Sequence, residues 1–332
     1  MEKSDGKSQT KTVVFVLSWF IFNISMANIV KWLYLYGTVC TEGWACRHYD
    51  FPLSMTSFDI VVGWIFSHFY LRKWLPDRPR MELRKQLREV APLGACFALS
   101  VGMGNLSLKY IYPSFNQMIG ASSPLITVFM AVAFEGKRYN WWTWVSMPVI
   151  CGGLAICMTK EVNFNLLGAM ACVGAAVLRG AKSLIQARLL AGARLDPVEL
   201  LYYMSPYAAT VLYVFALAME GLEPVVLLCW RPLWGDTSGS LLVMLLLVLT
   251  AVNAWFLSVA NFLVTYYTNA VTLQVLGNVK TCLSIIVSVA IFGNPLMPSQ
   301  CAGVVSCLFG VFLYSKKGGT IKPDSQDKQK RG

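Results

Sequence analysis

Residues 270–292 read AVTLQVLGNVKTCLSIIVSVAIF, and this stretch decides the fold class. It is predominantly apolar, and its one charge is Lys280. About 20 such residues in a helix cross the roughly 30 Å hydrocarbon core of a bilayer. Lys280 sits about ten residues from either end, near 15 Å along a helix. That is too far for its ammonium to reach water by snorkelling. A lysine at that depth costs at least about 2.5–3.5 kcal/mol to insert, so something polar must meet it.

Working outward, runs of the same kind fill the chain. They are expected at Val13 to about Tyr36, Pro52–Leu71, Val90–Leu108, Ser114–Phe134, Trp141–Met158, Leu166 to about Ala187, Val198–Met219, Leu241–Tyr266, Ala270–Phe292 and Pro298–Ser315. The composition agrees: 56% of the 332 residues are hydrophobic and 14% charged, where soluble domains carry roughly 25% charge. So little polar surface cannot cover a globule of this size, and lipid has to cover it instead. The expectation is an all-α, polytopic membrane protein with ten transmembrane helices.

The net charge of +11 is a matter of placement. With the amino terminus in the cytoplasm, twenty of the 28 lysines and arginines fall on the cytoplasmic side, among them Arg72, Lys73, Arg84, Lys85, Arg88, Lys137 and Arg138. Five fall on the other side: Lys31, Arg47, Lys109, Lys160 and Arg231. Positive residues stay with cytoplasmic loops, so both termini are expected there. The basic balance then needs no nucleic acid.

Shifted by 157 residues, the chain faintly repeats. Gln117 falls on Gln274, Gly120 on Gly277, Val132 on Val289, Ala133 on Ala290, Gly136 on Gly293, Gly153 on Gly310 and Lys160 on Lys317. Five spans per copy turn the second copy upside down, which is a common transporter architecture with its solute site near the midplane. The expected organisation is a cytoplasmic tail at 1–11, a first five-helix repeat at 12–160, a second at 161–317, and a disordered cytoplasmic tail at 318–332.

Polar residues inside the spans are the candidates for a site. Lys280 comes first, with Asn278 and Thr281 beside it. Arg179 and Lys182 lie three apart in VLRGAKSLIQ and share a helix face; they form a two-cation clamp for phosphate or, alternatively, snorkel to the cytoplasmic surface. Asp59, in MTSFDIVVGW, is the acid deepest in an apolar run; it pairs with a buried base or carries a proton. Asn116, Gln117 and Ser123 cluster beside Pro124 in SFNQMIGASSPL. A proline-broken helix with polar neighbours often lines a solute path, although ordinary interhelical hydrogen bonding explains such residues too. Tyr202, Tyr203, Asn261 and Tyr266 are weaker candidates of the same kind.

Other chemistry has little footing. His48 and His68 are the two histidines, and there is no CxxC or HExxH spacing, so neither metal nor cofactor is expected. No nucleophile, base and orienting group come together in the sequence, which argues against an enzyme. Cys40 and Cys46 flank TEGWA in the first non-cytoplasmic loop, as a disulfide or as two thiols. No cleavable leader is evident at the polar start.

SFNQMIGASSPLITVFMAVAFEGKR, LRGAKSLIQARLL and AVTLQVLGNVKTCLSIIVSVAIFGNPL followed by GVFLYSKK together resemble the nucleotide-sugar / triose-phosphate translocator family of the drug/metabolite transporter superfamily. LRGAKS and LDPVELLYYMSP bring the likeness nearest to the orphan subfamily E of solute carrier family 35. The resemblance implies ten helices in two inverted repeats, alternating access, a Golgi or ER membrane, and exchange of a phosphorylated solute for a nucleotide or phosphate. It places the family's span-nine lysine on Lys280 and its span-six cation on Arg179 or Lys182. Thr281 stands where plastid triose-phosphate members carry arginine, and Ile119 lies near their span-four lysine. Both departures favour a nucleotide sugar over triose phosphate.

The expected partners are a phosphorylated small molecule, its counter-substrate and the bilayer. A homodimer is left open by the sequence. The competing reading is a non-transporting membrane scaffold or receptor, in which Lys280 and Asp59 form a static pair.

Overall fold

A computed structural model describes the chain apart from residues 1, 42–43, 77–80, 112–115, 117–118, 158–164, 193–194, 225–236, 293–297 and 318–332. A helix lies on each apolar run: α1 Glu2–Tyr36, α2 Pro52–Trp74, α3 Ala91–Leu108, α4 Ser123–Glu135, α5 Trp141–Cys157, α6 Leu166–Gly192, α7 Pro197–Glu220, α8 Thr237–Tyr267, α9 Ala270–Phe292 and α10 Pro298–Lys317. A single helical turn, Leu83–Lys85, and a π-helical segment, Gln86–Val90, lead into α3. Among the described residues, five stretches are long and apolar enough to cross a membrane: Thr10–Tyr36, Leu83–Leu108, Leu166–Ala191, Pro197–Glu220 and Leu241–Tyr267.

The all-α expectation meets one addition. Thr38–Thr41 (β1) and Trp44–His48 (β2) pair as an antiparallel ribbon, with Thr38 opposite His48 and Val39 opposite Arg47. The β-branched run Thr38-Val39 after Gly37 suits a pleated strand, and a short loop can bring two such segments together. Helical periodicity in the flanking spans gives no warning of this ribbon. Cys40 and Cys46 lie on its two strands; their side chains are outside the described residues.

Helix ends follow local chemistry. Pro52 opens α2, and Arg72 and Lys73 close it, favourable for the negative end of the helix dipole. Asp196 caps α7, its Oδ1 accepting from the Val198 amide at 2.9 Å. Gly136 ends α4 with φ 61°, a conformation open to glycine and costly for other residues.

The surface is that of a protein bathed in lipid. Leu166, Met170, Val173 and Val177 on α6 are exposed at helical spacing, as are Leu241, Leu245, Val248 and Leu249 on α8 and Val305, Leu308, Phe309 and Phe312 on α10. Apolar stripes of this extent are not tolerated facing water. Ser57, Asp59, Ser67, Thr127, Ser183, Gln186, Thr250 and Asn278 are buried.

The helices gather into two compact units. The first holds residues 1–109 and 185–269, and so contains α1, α2, α3, α7 and α8. Within it α1 runs along α8, α2 packs on α7 and α8, and α3 packs on α7. Gly94 brings α3 against the α7 backbone, where an added Cβ would lie 3.0 Å from the Met204 carbonyl. The second holds residues 110–184 and 270–332, with α4, α5, α9, α10 and the front of α6. Its core includes Val128, Met147, Ile150, Val275, Cys282 and Cys307. Each unit draws on both halves of the sequence, and the division falls inside α6, between Leu184 and Ile185.

The α5–α10 crossing in the second unit has an internal regularity. A Cβ on Gly153 would meet the Cys307 amide nitrogen and the Gly303 carbonyl; a Cβ on Gly310 would meet Ile150 and the Ser146 carbonyl. Moving 153, 307 and 303 by 157 positions gives 310, 150 and 146. Each contact is therefore the counterpart of the other under the shift found in the sequence, as in a contact across a two-fold axis.

Candidate functional site

The second unit gathers the three cations of the apolar runs. Arg179 and Lys182 come from α6 and Lys280 from α9. Arg179 is within electrostatic reach of both lysines. Arg179 keeps accessible surface, while Lys182 and Lys280 are half-buried. Among the described residues, no carboxylate lies within ion-pair distance of Arg179.

Neutral hydrogen bonds hold the two cation-bearing helices in register. The Gln274 amide nitrogen donates to Ser183 Oγ at 2.7 Å and to the Arg179 carbonyl at 3.5 Å. Ser183 Oγ in turn donates to the Arg179 carbonyl at 3.0 Å. Four residues after Gln274, the Asn278 amide donates to the Ala121 carbonyl at 2.9 Å. Residues 121 and 278 are again 157 apart, so counterpart positions touch. Thr281 Oγ1 bonds back to the Gly277 carbonyl at 3.2 Å.

The wall opposite is the break before α4. Pro124 has no amide hydrogen, so the Gly120 carbonyl loses its ordinary donor. Ser123 supplies a replacement, its hydroxyl donating to that carbonyl at 2.6 Å. Arg179 Nη1 lies beside Gly120, where an added Cβ would be in ordinary contact at 3.5 Å and a longer side chain would reach the guanidinium. Gly180 allows a closer approach of α6 to α4, where a Cβ would lie 3.2 Å from Thr127 Oγ1. Asn116 accepts from the Cys172 thiol at 3.2 Å, two turns before Arg179. Gln117 lies outside the described residues.

The remaining candidates belong to the first unit. Asp59, 5% exposed, meets Thr250 on α8, with Oδ1 3.2 Å from the threonine hydroxyl oxygen. Tyr202 stacks on Trp64, ring centroids 6.0 Å apart and planes 14° from parallel. The Tyr203 hydroxyl accepts from the Met81 amide at 3.0 Å, anchoring the lead-in to α3. Asn261 accepts from Gln186 Nε2, and Tyr266 packs edge-on to Tyr267. For Tyr203 and Asn261 these ties serve to join elements within the unit.

Four residues in these contacts were not legible as site residues in the sequence. Gln274 was visible only as the counterpart of Gln117. Ser183 and Thr250 carried no signal, since lone hydroxyls are common in membrane helices and usually bond back to their own helix. Gln186 is fully buried, with Nε2 donating to Asn261 and Thr265 and Oε1 without a partner.

Three like charges on two tethered helices, with accessible surface, form an arrangement suited to a multiply charged anion. Guanidinium offers a planar fork to phosphate oxygens, and ammonium groups add point charge. Comparison with known proteins gives this chemistry a family. Residues 10–315 match the model of the Triose-phosphate Transporter family. A UDP-uronic acid transporter of Arabidopsis thaliana is 32% identical, over 94% of this chain and 97% of its own. A probable sugar phosphate/phosphate translocator of the same plant is 30% identical over 92% and 94%. Solute carrier family 35 member E4 of Homo sapiens is 25% identical over 92% and 79%. The chain belongs to the Triose-phosphate Transporter family, whose members are membrane transporters and not enzymes.

Proposed function

We propose that this chain is a secondary transporter that exchanges a phosphorylated anionic metabolite, a nucleotide sugar, for a nucleotide or phosphate by alternating access. The observation that carries the reading is the gathering of Arg179, Lys182 and Lys280 in the second unit, on helices tied by Gln274–Ser183. The solute's phosphate binds at these cations, with Asn278 and Thr281 on the lysine's own helix. When the site is empty, the cations repel one another at low dielectric, and switching is slow. Either anion relieves that repulsion, so the cycle runs as exchange.

Ten spans in two inverted repeats, 12–160 and 161–317, support the same cycle. The contacts between counterparts 157 residues apart are what favours this architecture. Both termini then lie in the cytoplasm, and a Golgi or ER membrane suits nucleotide-sugar traffic.

A second reading, a sugar phosphate/phosphate translocator, is favoured by the relative of that name. The two are separated by purifying the protein, reconstituting it in liposomes preloaded with UMP or inorganic phosphate, and offering UDP-sugars or sugar phosphates outside. Preference for UDP-sugars against UMP supports the first reading. Preference for sugar phosphates against phosphate supports the second. Counter-exchange should be lost in Lys280→Ala, which still inserts and folds; undiminished exchange by that variant overturns the role of the cation site.

A further inference from the structure

We propose that Asp59 is a proton-binding site and that the carrier couples solute movement to a proton held there. The observations come from the first unit and are independent of the cation cluster. Only the coupling half rests on the exchange reading above.

A threonine hydroxyl has one hydrogen to give. Thr250 Oγ1 lies 2.8 Å from the Leu247 carbonyl and 3.2 Å from Asp59 Oδ1. That one hydrogen faces two acceptors, with the Leu247 carbonyl at the shorter distance, so Asp59 receives at most a shared hydroxyl hydrogen. A share of one neutral donor does not compensate a buried carboxylate, whereas a protonated Asp59 can turn its own O–H toward Thr250 Oγ1.

The surroundings agree. Asp59 is buried about two turns into α2, and an isolated carboxylate there is costly and neutralises instead. Among the described residues, no lysine or arginine reaches it. The groups facing this region are acidic or neutral: Tyr34 from α1, Tyr49 and Asp50 from the segment before α2, and Glu220 from the end of α7. From α8 the Thr250 hydroxyl meets it, and among the described residues neither α3 nor α8 brings a charged group.

The same groups mark a course toward the end of the helix. Both Glu220 oxygens are committed to the first turn of α2, accepting from the Leu53 and Ser54 amides at 2.6 and 2.9 Å and from Ser54 Oγ at 2.6 Å. Asp59 lies five residues further on, about 8 Å along the axis. Tyr49 is buried beside this end, its hydroxyl without a hydrogen-bond partner. Burial and then the Glu220 carboxylate push the Tyr49 phenol upward, so it stays protonated and can relay a hydrogen bond without ionising. In one state of the carrier Asp59 holds its proton as described. In the alternate state, once water reaches the carboxyl, it releases H⁺ and becomes COO⁻. Each cycle then moves one proton with the exchange.

Two measurements test this. The first is infrared difference spectroscopy of the purified protein in lipid at neutral pH. A carboxylic-acid carbonyl band should be present in wild type, lost in Asp59→Asn and displaced in Thr250→Val. Asn matches Asp in shape and can donate to Thr250, so the variant should fold; if it does not, the band displacement in Thr250→Val decides. Identical carboxyl regions in wild type and both variants overturn the protonated site, whether or not any solute is transported. The second is exchange of a UDP-sugar for UMP in liposomes with and without an imposed pH gradient. Wild type should respond to the gradient, and Asp59→Asn should lose the response. A wild type indifferent to the gradient, or a variant that still responds, overturns the coupling. Failure of wild type to exchange any phosphorylated solute counts against the transport reading and leaves the infrared result to judge Asp59.

Discussion

At the scale of single residues, the cation site is a problem of spacing. Arg179 has its guanidinium beside Gly120, a position with no side chain of its own. Gly120→Leu would drive branched carbon into the space that Nη1 occupies. The expected outcome is a raised KM for solute with folding retained, read by exchange kinetics beside thermal unfolding. Arg179→Lys keeps the charge and gives up the fork. Losing one charge-assisted hydrogen bond costs about 1.5–3 kcal/mol, which weakens solute binding about tenfold or more. An Arg179→Lys protein with unchanged exchange KM would show that the guanidinium does not touch the anion. These cations were legible in the sequence because hydrocarbon makes an embedded charge costly. Their partners were not. Gln274 and Ser183 are inexpensive residues in a span, and only three-dimensional packing shows that together they set the register between α6 and α9.

At the scale of elements, the helices were readable and their crossings were not. Length and apolarity located α1 to α10, but which faces meet depends on small residues whose role is invisible until two backbones approach. Gly153 and Gly310 are the clearest case. A Cβ at 153 would stand 2.6 Å from the Cys307 nitrogen, and one at 310 would stand 2.7 Å from the Ile150 side chain. Gly153→Leu or Gly310→Leu forces α5 and α10 apart, at a cost of about 1–3 kcal/mol or more from overpacking. Each should lower the melting temperature in detergent, by similar amounts if the two positions are counterparts. The ribbon β1–β2 was missed for a related reason: its strands are too short to impose a period on the sequence. Glu220 was missed because it looks like a polar residue ending α7. It instead caps α2 from 167 residues away, accepting from the Leu53 amide. Glu220→Ala removes these bonds and a negative charge from a helix N-terminus, a loss of about 1.5–3 kcal/mol. Hydrogen exchange at the first turn of α2 should accelerate in that variant while the α5–α10 pair is unaffected.

At the scale of the whole molecule, charge placement and chain symmetry constrain one another. The two compact units interleave along the chain, each taking helices from both halves. Sequence order alone suggests two consecutive blocks; contacts within each unit follow packing instead. An inverted five-span repeat requires an even total and puts both ends of the chain on one side. In the proposed ten-span arrangement, the distribution of lysine and arginine favours the cytoplasm for that side. Lys137, just past the end of α4, is half-buried and paired with Glu135, and Lys109, just past α3, is exposed; the proposed topology puts the first on the cytoplasmic side and the second on the other. In a background lacking reactive native cysteines, Lys137→Cys in sealed vesicles should react with a membrane-impermeant maleimide added on the cytoplasmic side and resist it from the other. Lys109→Cys should show the reverse. Both positions labelled from the same side would break the link between α3 and α4 as successive crossings. The inverted repeat would fall with it, because an odd number of spans per copy is what turns one copy over.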